Sequence, residues 1–173
     1  MSRFFLIITL SLTVMSCGPR NDTQLVTNGP TFNANAASYV HKKGPGRIDG
    51  EAFVLNGNGK PLYAAGETIR LVPASEYAKY RFVRLYRGGT FVPANAIPRI
   101  SPDPQYAQYT RTTTASARGK FSFQDIAPGE YFITAQKVHK AKGSFTPLGG
   151  AMFAKVVMTG KEEKPIRVVL AGR

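Results

Sequence analysis

Few side chains in this 173-residue sequence are placed for covalent chemistry. A nucleophilic Ser, Cys or Thr needs a base beside it, and the only histidines are His41 and His139. His139 stands among Lys137, Lys140 and Lys142, and no acid is in place to orient it. His41 falls in a stretch that reads as a tether. Asp49 and Glu51 lie two apart, so on a strand both project to one face, either as an acid and base or cation-holding pair or as a polar outer face paired with Arg47 or a cross-strand arginine. No His-x-x-Glu occurs, since Gly44 follows His41 at that spacing and Lys142 follows His139. No Gly-rich phosphate loop, zinc spacing or calcium loop occurs either. The expectation is a non-enzymatic protein with no metal and no cofactor.

Binding chemistry has a better candidate. Tyr77, Tyr80, Arg81, Arg84, Tyr86 and Arg87 fall within eleven positions, and aromatic and arginine side chains are favoured where binding energy concentrates. The segment reads as a helix with Ser75 as its N-cap and Gly88-Gly89 as its stop. Tyr77, Tyr80 and Val83 share one helical face, and Arg81, Arg84 and, less closely, Arg87 fall on another. The alternative to a binding surface is a helix laid across an open end of the fold, tyrosines packed and arginines solvated. The chain's net charge of +13, from 23 Lys+Arg against 10 Asp+Glu, attracts phospholipid headgroups, lipopolysaccharide phosphates, acidic glycans or nucleic acid. It is also compatible with a general basic background in envelope proteins.

The chain's address is written at its start. Met1-Ser2-Arg3 precedes an apolar run from Phe4 to Met15, which is a signal-peptide pattern; a spanning helix needs about 20 apolar residues. Val14-Met15-Ser16-Cys17 resembles a lipobox, which implies cleavage before Cys17 and diacylglycerol on its thiol, and acyl chains in pairs anchor stably. Gly18 in place of an aspartate resembles lipoproteins exported to an outer membrane. The expected location is therefore the cell envelope, lipid-anchored at the outer membrane and facing the periplasm. Cys17 is the only cysteine, so no intramolecular disulfide forms. The expected division is a signal peptide over 1–16, the lipidated cysteine and a flexible tether over 17–46, and one domain over 47–173.

That domain must be built from short strands. Ile48–Leu55 runs into Asn56-Gly57-Asn58-Gly59. Ile69 and Leu71 alternate with Thr68 and Arg70 before Pro73. Further strands fall at Thr110–Thr114, Lys120–Phe123, Glu130–Ala135, Met152–Met158 and Ile166–Leu170. Thr90 to Gln108, carrying Pro93, Pro98, Pro102 and Pro104, reads as a long surface loop. At least seven short strands at this spacing imply a mainly β, antiparallel sandwich or barrel.

Ile69-x-Leu71-x-Pro73 and above all the run from Ala117 through Gly119-Lys120-Phe121-Ser122-Phe123-Gln124-Asp125-Ile126-Ala127-Pro128-Gly129 to Ala135 resemble the carboxypeptidase regulatory-like domain. The resemblance covers Arg47 to Lys137 and implies a transthyretin-like, Cna-B-like β-sandwich, with the helix and proline loop as an insertion. In the hairpin, Phe121, Phe123 and Ile126 face the core with Tyr131, Ile133 and Ala135, while Asp125 bonds turn amides. Such sandwiches serve as accessory, adhesive and transport modules, so the fold leaves function open. Beyond the membrane itself, the expected partner is another envelope protein. The alternative is a glycan or anionic cell surface such as peptidoglycan, lipopolysaccharide or exopolysaccharide. Export argues against nucleic acid.

Overall fold

The computed structural model describes residues 29–140 and 146–173. The expected signal peptide, Cys17 and the first part of the tether lie outside the described residues. Of the helices described, none is long and apolar enough to cross a membrane.

Two sheets face each other. In the first, β1 (Gly46–Leu55) is the spine, with β2 (Pro61–Tyr63) and β6 (Lys120–Ile126) antiparallel to its two ends and β9 (Ile166–Gly172) parallel along it. In the second, the order is β4 (Phe91–Pro93), β8 (Leu148–Met158), β7 (Gly129–His139), β3 (Thr68–Pro73) and β5 (Arg111–Thr114), all antiparallel. The architecture is the expected β-sandwich, with the β1/β9 pair as its one parallel pairing among the described strands.

Strand alternation produces the core directly. Ile48, Ala52 and Val54 of β1 meet Phe121, Phe123 and Ile126 of β6, Ile69 and Leu71 of β3, and Tyr131, Ile133 and Ala135 of β7 in one buried cluster. Asp125 does something other than expected. Gly46 pairs with Ile126 and Ile48 with Phe123, so β6 carries one extra residue there, and Asp125 takes φ 53° to absorb it. This is a bulge, at a residue type that tolerates the left-handed region. The Asp125 carbonyl accepts a hydrogen bond from Arg111 at 3.1 Å. β2 and β4, at three residues each, are too short to show alternation, and Pro93 is tolerated because β4 is an edge.

The insertion packs differently from expectation. α2, Glu76–Tyr86, is capped by Ser75, whose hydroxyl accepts from the Ala78 amide at 3.3 Å. It closes on Arg87 at φ 49°, one residue before Gly88. The helix does not cover an open end of the sandwich. Ala78, Phe82 and Tyr86 pack with Val72, Val92 and Phe132 into a second core on the outer face of the second sheet.

The domain also begins earlier than Arg47. A short helix α1, Ala34–Ala37, and a 3-10 turn, Ser38–His41, lie against the sandwich, with Ala37 and Val40 buried. The Tyr39 hydroxyl donates to the Glu130 carbonyl and accepts from the Ala74 amide at 2.9 Å. The tether expected over 17–46 is therefore, from Gly29, a strap bound to the fold. A few large side chains suffice to anchor it because each fills the core rather than a periodic face.

Candidate functional site

The second core does not fill the space it roofs. A cleft of about 390 Å³ remains between α2, the proline loop and the outer face of the second sheet. That lies within the roughly 300–1,000 Å³ of clefts that hold small ligands. Its apolar walls are Phe82, Leu85, Val92, Ile97, Pro98 and Pro102.

The floor is laid down by strand register. Thr112 of β5 pairs with Arg70 of β3, and Arg70 pairs with Thr134 of β7. Because the side-chain period along a strand is two, these three side chains stand in one row on the outer face, and Gln136 follows Thr134 on that face. The Thr134 hydroxyl is engaged with Tyr86 at 2.9 Å and with the Met152 carbonyl at 2.9 Å. Arg70, Thr112 and Gln136 are exposed at the mouth, and their side chains make no hydrogen bond or ion pair with other described residues.

The roof is held by one arginine. Arg81 donates to the carbonyls of Ser101 at 3.2 Å and Ile100 at 3.3 Å, and its guanidinium lies 5.8 Å from the Tyr77 ring centre and 5.4 Å from that of Tyr106. The Tyr77 hydroxyl accepts from the Asp103 amide at 2.6 Å. Helix and proline loop are thereby stapled together. On the sheet side Phe82 stacks on Phe132 at 4.3 Å. Burial pushes the Tyr106 phenol well up, against the opposing effect of Arg81, and burial likewise raises Tyr86. Both stay protonated and keep an O–H in the site.

The six residues expected to form one interaction surface are divided among three roles. Tyr86 and Arg81 line the cleft from the roof. Tyr77 and Tyr80 meet the chain's own strap. The Tyr77 ring lies 5.5 Å from Phe32, edge-on, and Gly29 sits so close to Tyr80 that a side chain there would collide with the ring. Arg84 is exposed, 5.8 Å from the Tyr80 ring, and Arg87 is exposed at the helix end. Tyr77 and Val83 do not share an environment, since Tyr77 is 5% exposed and Val83 65%. Tyr77, Tyr80 and Tyr86 thus form no exposed row. Cys17 lies outside the described residues.

Asp49 and Glu51 face outward from the first sheet, away from the cleft. The Ser122 hydroxyl beside it, together with Arg47 and Arg167, holds the Asp49 carboxyl below its usual range, and Arg47 donates to it at 3.1 Å. This is the polar outer face among the two readings of the pair. His41 packs its ring 5.0 Å from Tyr109, and His139 is exposed at the end of β7. Arg70, Thr112, Gln136 and Tyr106 are the site residues that the sequence did not single out. Its one signal was the Thr68/Arg70 face of the alternation in β3.

A scan against protein-family models finds no match, and a search of curated proteins finds none. Solved structures do resemble the chain. A crystal structure from Pseudomonas aeruginosa, of a protein provisionally described as carbohydrate-binding, superposes with a TM-score of 0.68 at 23% identity, over 83% of this chain and 99% of that one. A streptococcal ancillary pilin aligns with 76% of this chain and 30% of its own, at a TM-score of 0.34 and 13% identity. The first likeness establishes a shared β-sandwich fold over nearly all of that protein.

Proposed function

We propose that this chain is a non-catalytic binding module of the cell envelope whose cleft holds part of a saccharide. The observation that carries the reading is the cleft itself: apolar and aromatic walls for the faces of a sugar ring, with the free side chains of Arg70, Thr112 and Gln136 at its mouth for ring hydroxyls. Convergent polar groups on a mostly apolar cavity are the usual form of a small-ligand site. The description of the Pseudomonas aeruginosa structure supports the same reading. The strap covers Tyr77 and crowds Tyr80, so the tyrosines of α2 add nothing either to this reading or to that of a protein partner.

The full-length chain is expected to be retained on immobilised cell-wall or extracellular glycan and released by free saccharide. Recovery of one stoichiometric protein partner from crosslinked membranes, with no retention on any glycan, would overturn this reading. The module is anchored, in this proposal, through lipid on Cys17. Cys17→Ser should move the protein from the membrane to the soluble fraction, and unchanged fractionation would remove the anchor from the account.

A further inference from the structure

Among the described residues, Arg81 is the one charged side chain that is buried, at 8% exposure. Its partners are neutral: two carbonyls and two aromatic rings. Carbonyl dipoles and ring faces offset part of the cost of burying a cation, but a counter-ion is what ordinarily completes the compensation. Among the described residues no carboxylate pairs with Arg81, and the cleft lining contains no aspartate or glutamate.

Arg70 repeats the pattern at the mouth. Other basic groups near this sheet have found acids: Lys137 pairs with Glu67 at 3.1 Å, and Lys155 with Glu130 at 2.6 Å. Arg70 has none. A chain of net charge +13 must leave many cations unpaired on its surface, where water screens them. Arg81 is buried against the apolar cleft and Arg70 stands at its mouth, where the effective dielectric is lower than over open surface and a charge reaches further. Arg70 and Gln136 also border a shallower depression with Glu67, Thr68 and Val138, so a ligand longer than one sugar has a path outward across Arg70.

We propose that the cleft selects acidic saccharides, those carrying a ring carboxylate of the uronic-acid class. The Arg70 guanidinium docks the carboxylate and the buried charge of Arg81 stands behind it. Arginine suits this task because its planar fork meets a carboxylate with two parallel hydrogen bonds. The inference rests on the saccharide reading above.

Calorimetry on the full-length chain tests it with a hexuronate tetrasaccharide against a neutral hexose tetrasaccharide. The acidic ligand should bind about tenfold more tightly. Arg70→Gln should erase that preference. Arg118→Gln, which removes the same charge from an exposed turn away from the cleft, should keep it. Equal affinity for the two ligands overturns the acidic selection and leaves the saccharide reading standing; no binding of either overturns both. A preference that survives Arg70→Gln, or falls equally in Arg118→Gln, would assign it to the field of the whole chain and overturn its placement in the cleft.

Discussion

A chain shortened to begin at Arg47 is expected to be less stable than one beginning at Gly29 by about 4 kcal/mol. The strap supplies Val40 to the main core at 2% exposure and sets the Tyr39 ring edge-on to Tyr131 at 5.1 Å. It also supplies the hydroxyl that satisfies Glu130 and Ala74 backbone groups. Removing it exposes apolar surface worth about 1.5–3 kcal/mol per large side chain, less the entropy that ordering the strap had cost. A domain's whole stability is about 5–15 kcal/mol, so the loss is a large part of it. Urea denaturation followed by circular dichroism measures the difference. Midpoints that coincide would show the strap to be an ornament. The shortened chain should also bind saccharide poorly. Phe32 touches Tyr77 and Tyr106 at 5.5 and 6.0 Å, and Tyr106 lines the cleft.

Arg81→Met should loosen the roof without emptying it. Methionine replaces most of the volume, so what is lost is two charge-assisted hydrogen bonds and two ring contacts. The carbonyls of Ile100 and Ser101 are left to find water, and the proline loop loses its attachment to α2. About 2 kcal/mol of stability should go, less than a severed salt bridge would cost, because relief of a buried unpaired charge works the other way. Limited proteolysis should begin cutting within 94–110 while the sandwich stays intact, and saccharide affinity should fall more than about tenfold. A variant as resistant to protease as the parent, binding as tightly, would mean that the loop is held by other contacts.

The strands were legible where apolar and polar residues alternate over enough positions. Ile69 and Leu71 in β3, Phe121 and Phe123 in β6, and Tyr131, Ile133 and Ala135 in β7 all face the core, as their alternation in the sequence implied. β2 and β4 escape notice because three residues cannot display a period. The strap escapes it because its Asn, Ala, Thr and Gly composition matches a tether, while its hold depends on single residues, Phe32, Tyr39 and Val40. The cleft is hidden for a different reason. Thr112, Arg70 and Thr134 become neighbours only through the β5, β3, β7 register, a relation between segments about 20 to 60 positions apart in the chain. The tyrosines and arginines of α2 were visible, but their division between strap and cleft depends on which helical face each partner occupies.

The central claim is that a saccharide sits in the roofed cleft on the outer face of the second sheet. Backbone amide chemical shifts of the full-length chain, followed through a saccharide titration, test it most directly. The account predicts saturable shifts confined to Arg70, Tyr106, Thr112, Gln136, Ala151 and their neighbours, with Asp49, Glu51 and Arg167 on the opposite sheet unmoved. Shifts centred on that opposite face, or no shifts at saturating saccharide, would contradict it.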